Sequence, residues 1–331
     1  MKQSETFTIT IPEHLDGQRI DAVIPTLQPT LSRSQGQKLI KSGDVLLNGE
    51  VPRPKDSVKT DDIVQITVEE NDTTDEIIPE DISINIVYED EDIIVINKPA
   101  GMVVHPGAGN QIGTLANALL HHCPQLTSLN RAGIVHRLDK ETSGVLVIAK
   151  TPEAEENLIE QFKARTPTKL YHALVIGEMI SGRSIYAPIG RNPHRRKHMW
   201  VTEDDEDGNN DGKEAITHLR VKERFRSHTL VEANIETGRT HQIRVHMQHI
   251  NYPIVGDSDY GARLRVPKKF GQHAENVLRG FKRQALHAFS IEFEHPRTGE
   301  VMYFEQDCPN DMKNLVDAIR QESIDYAEQN S

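Results

Sequence analysis

The chain has 331 residues, two cysteines and a formal net charge of −12. Its length supplies a buried core for one to three domains, and no stretch approaches the roughly 18 consecutive apolar residues that would span a bilayer. Met1 to Thr10 lacks a charged-then-apolar leader pattern, and Cys123 and Cys308 stand far apart without a pairing pattern, so a reducing cytoplasm is expected rather than a disulfide or zinc framework.

Residues 17 to 70 read as a compact unit. Two short helical patterns, Arg19 to Leu27 and Ser34 to Lys41, come first, with Ser32 and Ser34 as candidate caps for the second. Val45 to Val51 contains Asn48-Gly49, which suits a type I′ hairpin turn, and Ile63 to Val68 reads as a closing strand. Arg33, Lys38, Lys41, Arg53 and Lys55 lie on or beside these elements. The arrangement resembles the α-L (S-four-type) RNA-binding module, in which a helical pair presents basic residues to an RNA backbone. Two positions depart from it. Gly36 stands where an apolar helix residue is usual, at a cost of about 1 kcal/mol in helix propensity, and Pro25 interrupts the first helical pattern.

Glu69 to Glu80 is acid-rich, lacks apolar periodicity and reads as a self-repelling linker. The expected division is therefore 1–78, an RNA-binding domain with its linker, and 79–331, a larger domain. Strand-like runs in the second part are Ile93 to Ile96, Val145 to Ile148, Leu170 to Ile176, Ile216 to Val221, Thr229 to Ile235 and Val301 to Phe304. Helical patterns cover Thr114 to His121, Pro152 to Lys163, Thr240 to His249 and a C-terminal stretch from Asn310 to Gln329. Strands dominate without βαβ alternation, which implies an α+β fold around a mixed, mainly antiparallel sheet flanked by helices and loops.

The most informative stretch is His136-Arg137-Leu138-Asp139-Lys140-Glu141-Thr142-Ser143-Gly144. It sets one carboxylate between two basic side chains, then a Gly turn and the apolar run Val145 to Ala149, so the acid sits in a loop anchored to rigid core. With Asn97 to Gly107, Lys169 to Val175 and Glu236 to His246, this stretch resembles the four ordered motifs of the RluA/RluD family of RNA pseudouridine synthases. Ile86 to Pro99 and His105 to Asn110 are most similar to its RluD branch.

The resemblance implies isomerisation of uridine to pseudouridine in large-subunit ribosomal RNA, in the stem-loop called helix sixty-nine. Breaking N1–C1′ and rejoining the base through C5 needs no redox change and no group donor, so no cofactor is expected. Asp139 is implied as the essential carboxylate, acting as a nucleophile or abstracting a sugar proton. It must stay ionised in a closed pocket, which a nearby guanidinium favours. Arg239 is the expected partner, following Gly238 at the mouth of a helical pattern, and Arg244 is the competing candidate. Tyr171 is implied to stack on the target base, and Arg137 to fill the gap left when the uridine flips out. His136, Lys140 and His241 are expected to face RNA. Arg195, Arg196 and Lys197 lie in the densest basic run, Arg191 to His198, read as a phosphate-contacting loop.

The negative total charge does not exclude an RNA partner, because its distribution is uneven. Residues 69–92 hold eleven acids and no Lys or Arg, and residues 203–211, read as an exposed hairpin tip, hold six more acids; residues 93–202 hold thirteen Lys and Arg against seven acids. No metal site is expected, since no His-Glu-x-x-His or paired Cys-x-x-Cys occurs and His121-His122-Cys123 lacks a fourth ligand nearby. Gly107-Ala108-Gly109 is too short for a dinucleotide fingerprint, so no nucleotide cofactor is expected either. Two rival readings are a non-catalytic rRNA-binding assembly factor and a glycoside hydrolase. An intact Asp139, Tyr171 and Arg239 set argues against the first, and the lack of a second catalytic carboxylate in any recognisable motif against the other. The expected partners are ribosomal RNA or the large subunit, with no membrane contact, and the protein is expected to be a monomer.

Overall fold

The computed structural model describes the chain apart from residues 1–3, 30, 32, 70–76, 108, 196–197, 204–210, 262–265 and 331. It forms two compact units, Met1–Glu76 and Ile77–Ser331. Ser32, the side chain of Ser34, most of the acidic linker and most of the expected tip at residues 203–211 lie outside the described residues.

In the first unit, strand β1 (Ser4–Thr10), helices α1 (Ile20–Leu27) and α2 (Arg33–Ser42), and strands β2 (Val45–Leu47) and β3 (Ile63–Glu69) surround one apolar core. The sheet order is β1-β3-β2, all antiparallel. Asn48 and Gly49 both take positive φ, 51° and 87°, and Leu47 and Glu50 exchange backbone hydrogen bonds across them. This is the tight turn that Asn-Gly favours, although the main partner of β2 is β3. Gly36 has a packing reason: a Cβ there would stand 2.9 Å from Ile24 Cγ2, so the missing side chain lets α2 approach α1. Pro25 sits inside α1 without ending it. Arg33 is held by Asp21, whose fully buried carboxylate also takes bonds from Arg19 and from Gln37 at 2.6 Å. The guanidinium thus braces the fold through Asp21, while the Arg33 side chain stays 53 % exposed. Lys41 is exposed at the end of α2, and Lys38 lies one turn before it with an exposed side chain.

The second unit is built on a nine-stranded sheet. Its strands are β4 (Ile86–Glu89), β5 (Ile93–Lys98), β6 (Ser143–Ala149), β7 (Thr168–Ile176), β8 (Arg183–Tyr186), β11 (Ile216–Arg224), β12 (His228–Ile235), β13 (Leu286–Glu294) and β14 (Val301–Glu305); β9 (Ile189–Arg191) and β10 (Met199–Val201) form a separate hairpin. The order is β4-β5-β6-β13-β7-β12-β11-β8, with β14 on β13. Only β6–β13 is parallel among the described pairs, so the sheet is mixed and mainly antiparallel. All seven residues of β6 are buried, the pattern of a strand covered on both faces. Helices α3 (Leu115–His122), α4 (Pro152–Ala164), α5 (Gln242–His249), α6 (Gln272–Gly280) and α7 (Asn310–Gln329) complete the unit. The unit begins at Ile77, which packs against the core, and the Glu80 N–H donates to the Asn117 carbonyl.

Candidate active site

Two close backbone approaches hold the segment that carries Asp139. At its start, Gly133 has φ 72°, and a Cβ there would stand 2.0 Å from the Ala149 carbonyl oxygen. At its end, Gly144 has φ 122°, and a Cβ would stand 2.1 Å from the Ala288 carbonyl oxygen. Gly144 is therefore part of β6, paired with β13, and not a turn residue. Between them Leu138 is buried, Arg137 and Lys140 are exposed, and the Asp139 side chain is 20 % exposed. The His136 ring turns inward: Nε2 accepts the Val147 N–H at 3.0 Å, and the ring stacks on Phe162 at 4.5 Å between centroids. Burial, followed by the charge of Lys169, drives its pKa down to about 3. His136 is a neutral anchor to β6, which corrects its placement among RNA-facing groups.

Lys98, at the end of β5, is the side chain that the sequence reading passed over within its own motif. It is fully buried, and Nζ donates to the carbonyls of Pro99 (2.8 Å), Met102 (3.0 Å) and Lys140 (3.1 Å). Burial pulls its pKa down to about 7, against the opposing pull of Glu141 and Asp139. The ammonium fastens the residue after Asp139 to the turn that follows β5.

The partner of Asp139 is Arg244. Its Nη1 donates to Asp139 Oδ2 at 3.2 Å. The rest of the fork is spent on Asp257, through Nε at 2.7 Å and Nη2 at 2.9 Å, and on Asp259 at 2.9 Å. The Arg244 side chain is 5 % exposed and lies over the Tyr260 ring. Burial alone would weaken its charge; the bond and charge of Asp257, then Asp139, outweigh that and raise its pKa. Burial likewise works against the Asp257 carboxylate, but Arg244 holds it below the usual range. Arg239 is turned elsewhere, its Nε donating to the Glu214 carbonyl at 2.9 Å. The expected Arg239–Asp139 pair is thus replaced by Arg244–Asp139. Arg239 precedes helix α5, whereas Arg244 lies within its first turn.

His241 caps α5 in the left-handed region, φ 58°. Its Nε2 lies 3.9 Å from Asp139 Oδ1, and its Nδ1 lies 2.8 Å from Tyr260 Oη. Tyr260 Oη already accepts the Met199 N–H, so its own proton goes to His241 Nδ1. The ring proton is then assigned to Nε2, facing Asp139. Burial lowers the His241 pKa, against the charge of Asp139. Tyr171 on β7 is 8 % exposed, and its cross-strand partners are alanines on both sides, Ala233 and Ala288, which leaves room along the ring. Burial and then the charge of Asp139 raise its pKa, so the phenol keeps its proton.

The basic run begins at the end of β9 and lies between it and β10. Asn192 Oδ1 caps the His194 and Arg195 N–H groups, and Arg195 is exposed. Arg196 and Lys197 lie outside the described residues. Asp90, Asp92 and His295 could in principle hold a metal ion. Their donors are already used: His295 Nδ1 accepts the Arg297 and Thr298 N–H groups, its Nε2 donates to Asp90, and Arg297 pairs with Asp92 at 2.7 Å. No helix among the described residues is long and apolar enough to cross a membrane.

Comparison with known proteins adds independent findings. The sequence model of the RNA pseudouridylate synthase family matches residues 92–249, and that of the S4 domain matches residues 18–64. Proteins described as ribosomal large subunit pseudouridine synthase D are similar over nearly the full chain. That of Xanthomonas campestris pv. campestris is 48 % identical over 318 residues, 96 % of this chain and 94 % of its own. That of Pseudomonas aeruginosa is 48 % identical over 313 residues, 94 % and 95 %, and that of Escherichia coli O6:H1 is 46 % identical over 322 residues, 97 % and 96 %. Among solved structures, human RNA pseudouridylate synthase domain containing 4 superposes with a TM-score of 0.56 at 26 % identity, covering 71 % of this chain and 93 % of its own. Human RNA pseudouridylate synthase domain containing 1 gives 0.52 at 28 % identity, covering 71 % and 85 %.

Proposed function

The chain belongs to the RluA/RluD family of RNA pseudouridine synthases, and on that premise we propose that it isomerises uridine in large-subunit ribosomal RNA, with Asp139 as the essential group. The observation that carries this reading is the Asp139 carboxylate, partly open to solvent yet fixed by the buried Arg244 and flanked by His241. The reaction breaks N1–C1′ and forms C5–C1′; N1 gains a proton and C5 loses one, so atoms and electrons balance without a donor. Arg244 Nη1 donates to the carboxylate and fixes its orientation as a hydrogen-bond acceptor. Tyr171, a protonated phenol with apolar flanks, suits stacking against the detached base and passing a proton. The exposure of Arg137, two residues before Asp139, supports its entry into the stack that the uridine leaves.

Residues 1–78 act as an RNA-binding module, with Lys38 and Lys41 as candidate phosphate contacts, and residues 79–331 as the catalytic domain. Exposed Arg137, Lys140 and Arg195 are the contacts proposed on the catalytic side. The finer target is the helix sixty-nine stem-loop, supported by the likeness of the upstream motif to the RluD branch. A single chain working in the cytoplasm fits this role.

Mapping pseudouridines in ribosomal RNA from cells that lack the protein, complemented with the parent or with Asp139→Asn, tests the reading. The parent is expected to restore specific pseudouridines in large-subunit RNA. Asp139→Asn is expected to restore none while binding the RNA nearly as well, because phosphate contacts come from other side chains. Restoration by the Asn variant would turn the reading toward a binding factor without chemistry.

A further inference from the structure

Lys169 stands on β7 two residues before Tyr171, so the two side chains leave the same face of the strand. It is only 8 % exposed. A cation that deep normally has a carboxylate partner, because desolvating an unpaired ammonium costs on the order of several kcal/mol. Among the described residues Lys169 has none. Its recorded contact is the Phe162 ring, 5.6 Å from Nζ to the centroid. Its partner across the sheet on β13 is Ile291. Burial depresses its pKa, and the neighbouring charge acting on it is another cation, Arg165, which depresses it further. Glu214 is paired with Arg165 and does not serve Lys169. Phe162 also stacks on His136 of the Asp139 segment, and the charge of Lys169 reaches that imidazole. The ammonium therefore packs on Phe162, next to the His136 that anchors the Asp139 segment, in surroundings that supply positive charge and, among the described residues, no anion.

We propose that Lys169 is an RNA-binding residue of this site, its ammonium taking a phosphate oxygen of the linkage that adjoins the target uridine. The proposal rests on the RNA-modification reading above, since the nucleic-acid backbone is the anion that such a reaction brings to the cleft. A phosphate there would supply the missing counter-charge through a charge-assisted hydrogen bond. Tyr171 would then hold the base while Lys169 fixes the chain beside it.

The test uses the full-length protein and a synthetic stem-loop RNA around the mapped uridine, comparing the parent with Lys169→Met and Lys169→Arg. The Met variant is expected to melt no lower than the parent, because it removes a buried unpaired charge and keeps much of the stem. Its KM should rise roughly tenfold with kcat little changed, the loss of one charge-assisted bond, and its salt slope should fall by about 0.7–0.9. Lys169→Arg should recover most of the binding. Replacing single linkages in the RNA by neutral methylphosphonates should find one whose loss weakens the parent but costs Lys169→Met nothing more. A lower melting temperature with reduced kcat and unchanged KM overturns the proposal in favour of a packing role. So do losses that simply add at every linkage. If the parent makes no pseudouridine in unmodified RNA, the functional reading fails instead, and the affinities and salt slopes still decide whether Lys169 meets a phosphate.

Discussion

Arg244 and Arg239 lie five positions apart in one motif, yet their environments separate them. Arg244 is surrounded by Asp139, Asp257 and Asp259, with Asp257 fully buried. Removing one member of a buried ion pair strands the other, at about 3–5 kcal/mol. Arg244→Met is therefore expected to lose that much stability in denaturant titrations and to abolish turnover even where it remains folded. Arg239→Met breaks one bond to a backbone carbonyl. It should fold as the parent does and lose less than about tenfold in turnover, the scale of one modest hydrogen bond. The opposite ranking, with Arg244→Met active and Arg239→Met dead, would restore the assignment read from the sequence. That reading chose Arg239 because it follows a glycine; which arginine reaches Asp139 depends on where α5 begins, and His241 sets that point with a left-handed backbone.

At the scale of elements, β6 and the segment before it form one device. Arg131, Ala132 and Gly133 all take positive φ, and Gly133 then presses against β6. Gly133→Ala adds left-handed strain to a clash with the Ala149 carbonyl, about 2–5 kcal/mol together. Gly299→Ala has similar φ, 72°, but open space around the new Cβ, so it should cost only the conformational part. Unfolding midpoints for the two variants check this, and equal losses would mean that the close approach does not matter. The continuous apolar run of β6 and the alternating pattern of β12 were legible from the sequence. The central strand β13 was not. Its register carries His287 and Ser290 inward, and the core accepts them because Ser143 Oγ meets His287 Nδ1 at 2.9 Å and His287 Nε2 bonds the Gln306 carbonyl. Those polar positions break the alternation that a periodicity reading needs.

Across the whole molecule, buried imidazoles set a pH limit. Burial pushes His172 and His228 down to about 4, and His136 to about 3. Each is neutral in the folded protein, whereas the unfolded chain takes up protons at its ordinary value of 6.5. Their stabilising contribution is therefore complete above about pH 6.5 and is lost as the pH falls toward 4. The largest slope is about 1.4 kcal/mol per pH unit for each buried ring. Denaturant titrations at pH 7, 6 and 5 should show falling stability before the paired carboxylates, such as Asp257, begin to protonate. A flat profile across that window would mean that the rings accept protons in the folded state.

The sequence by itself determined the family, the α+β class and the segment that carries Asp139, because those rest on local order: an apolar strand after a basic-acidic loop, and motifs in a fixed succession. It also marked Tyr171 and the basic hairpin run. What only the tertiary structure decided is who meets whom. Asp257, Asp259 and Tyr260 lie outside every motif read in the sequence, yet they converge on Arg244 and His241. Lys98 drew no notice within its own motif, yet it is the fully buried clamp beneath the Asp139 segment. Charge pairing in a buried site depends on distances between strands and helices remote in sequence, and periodicity carries no information about those distances.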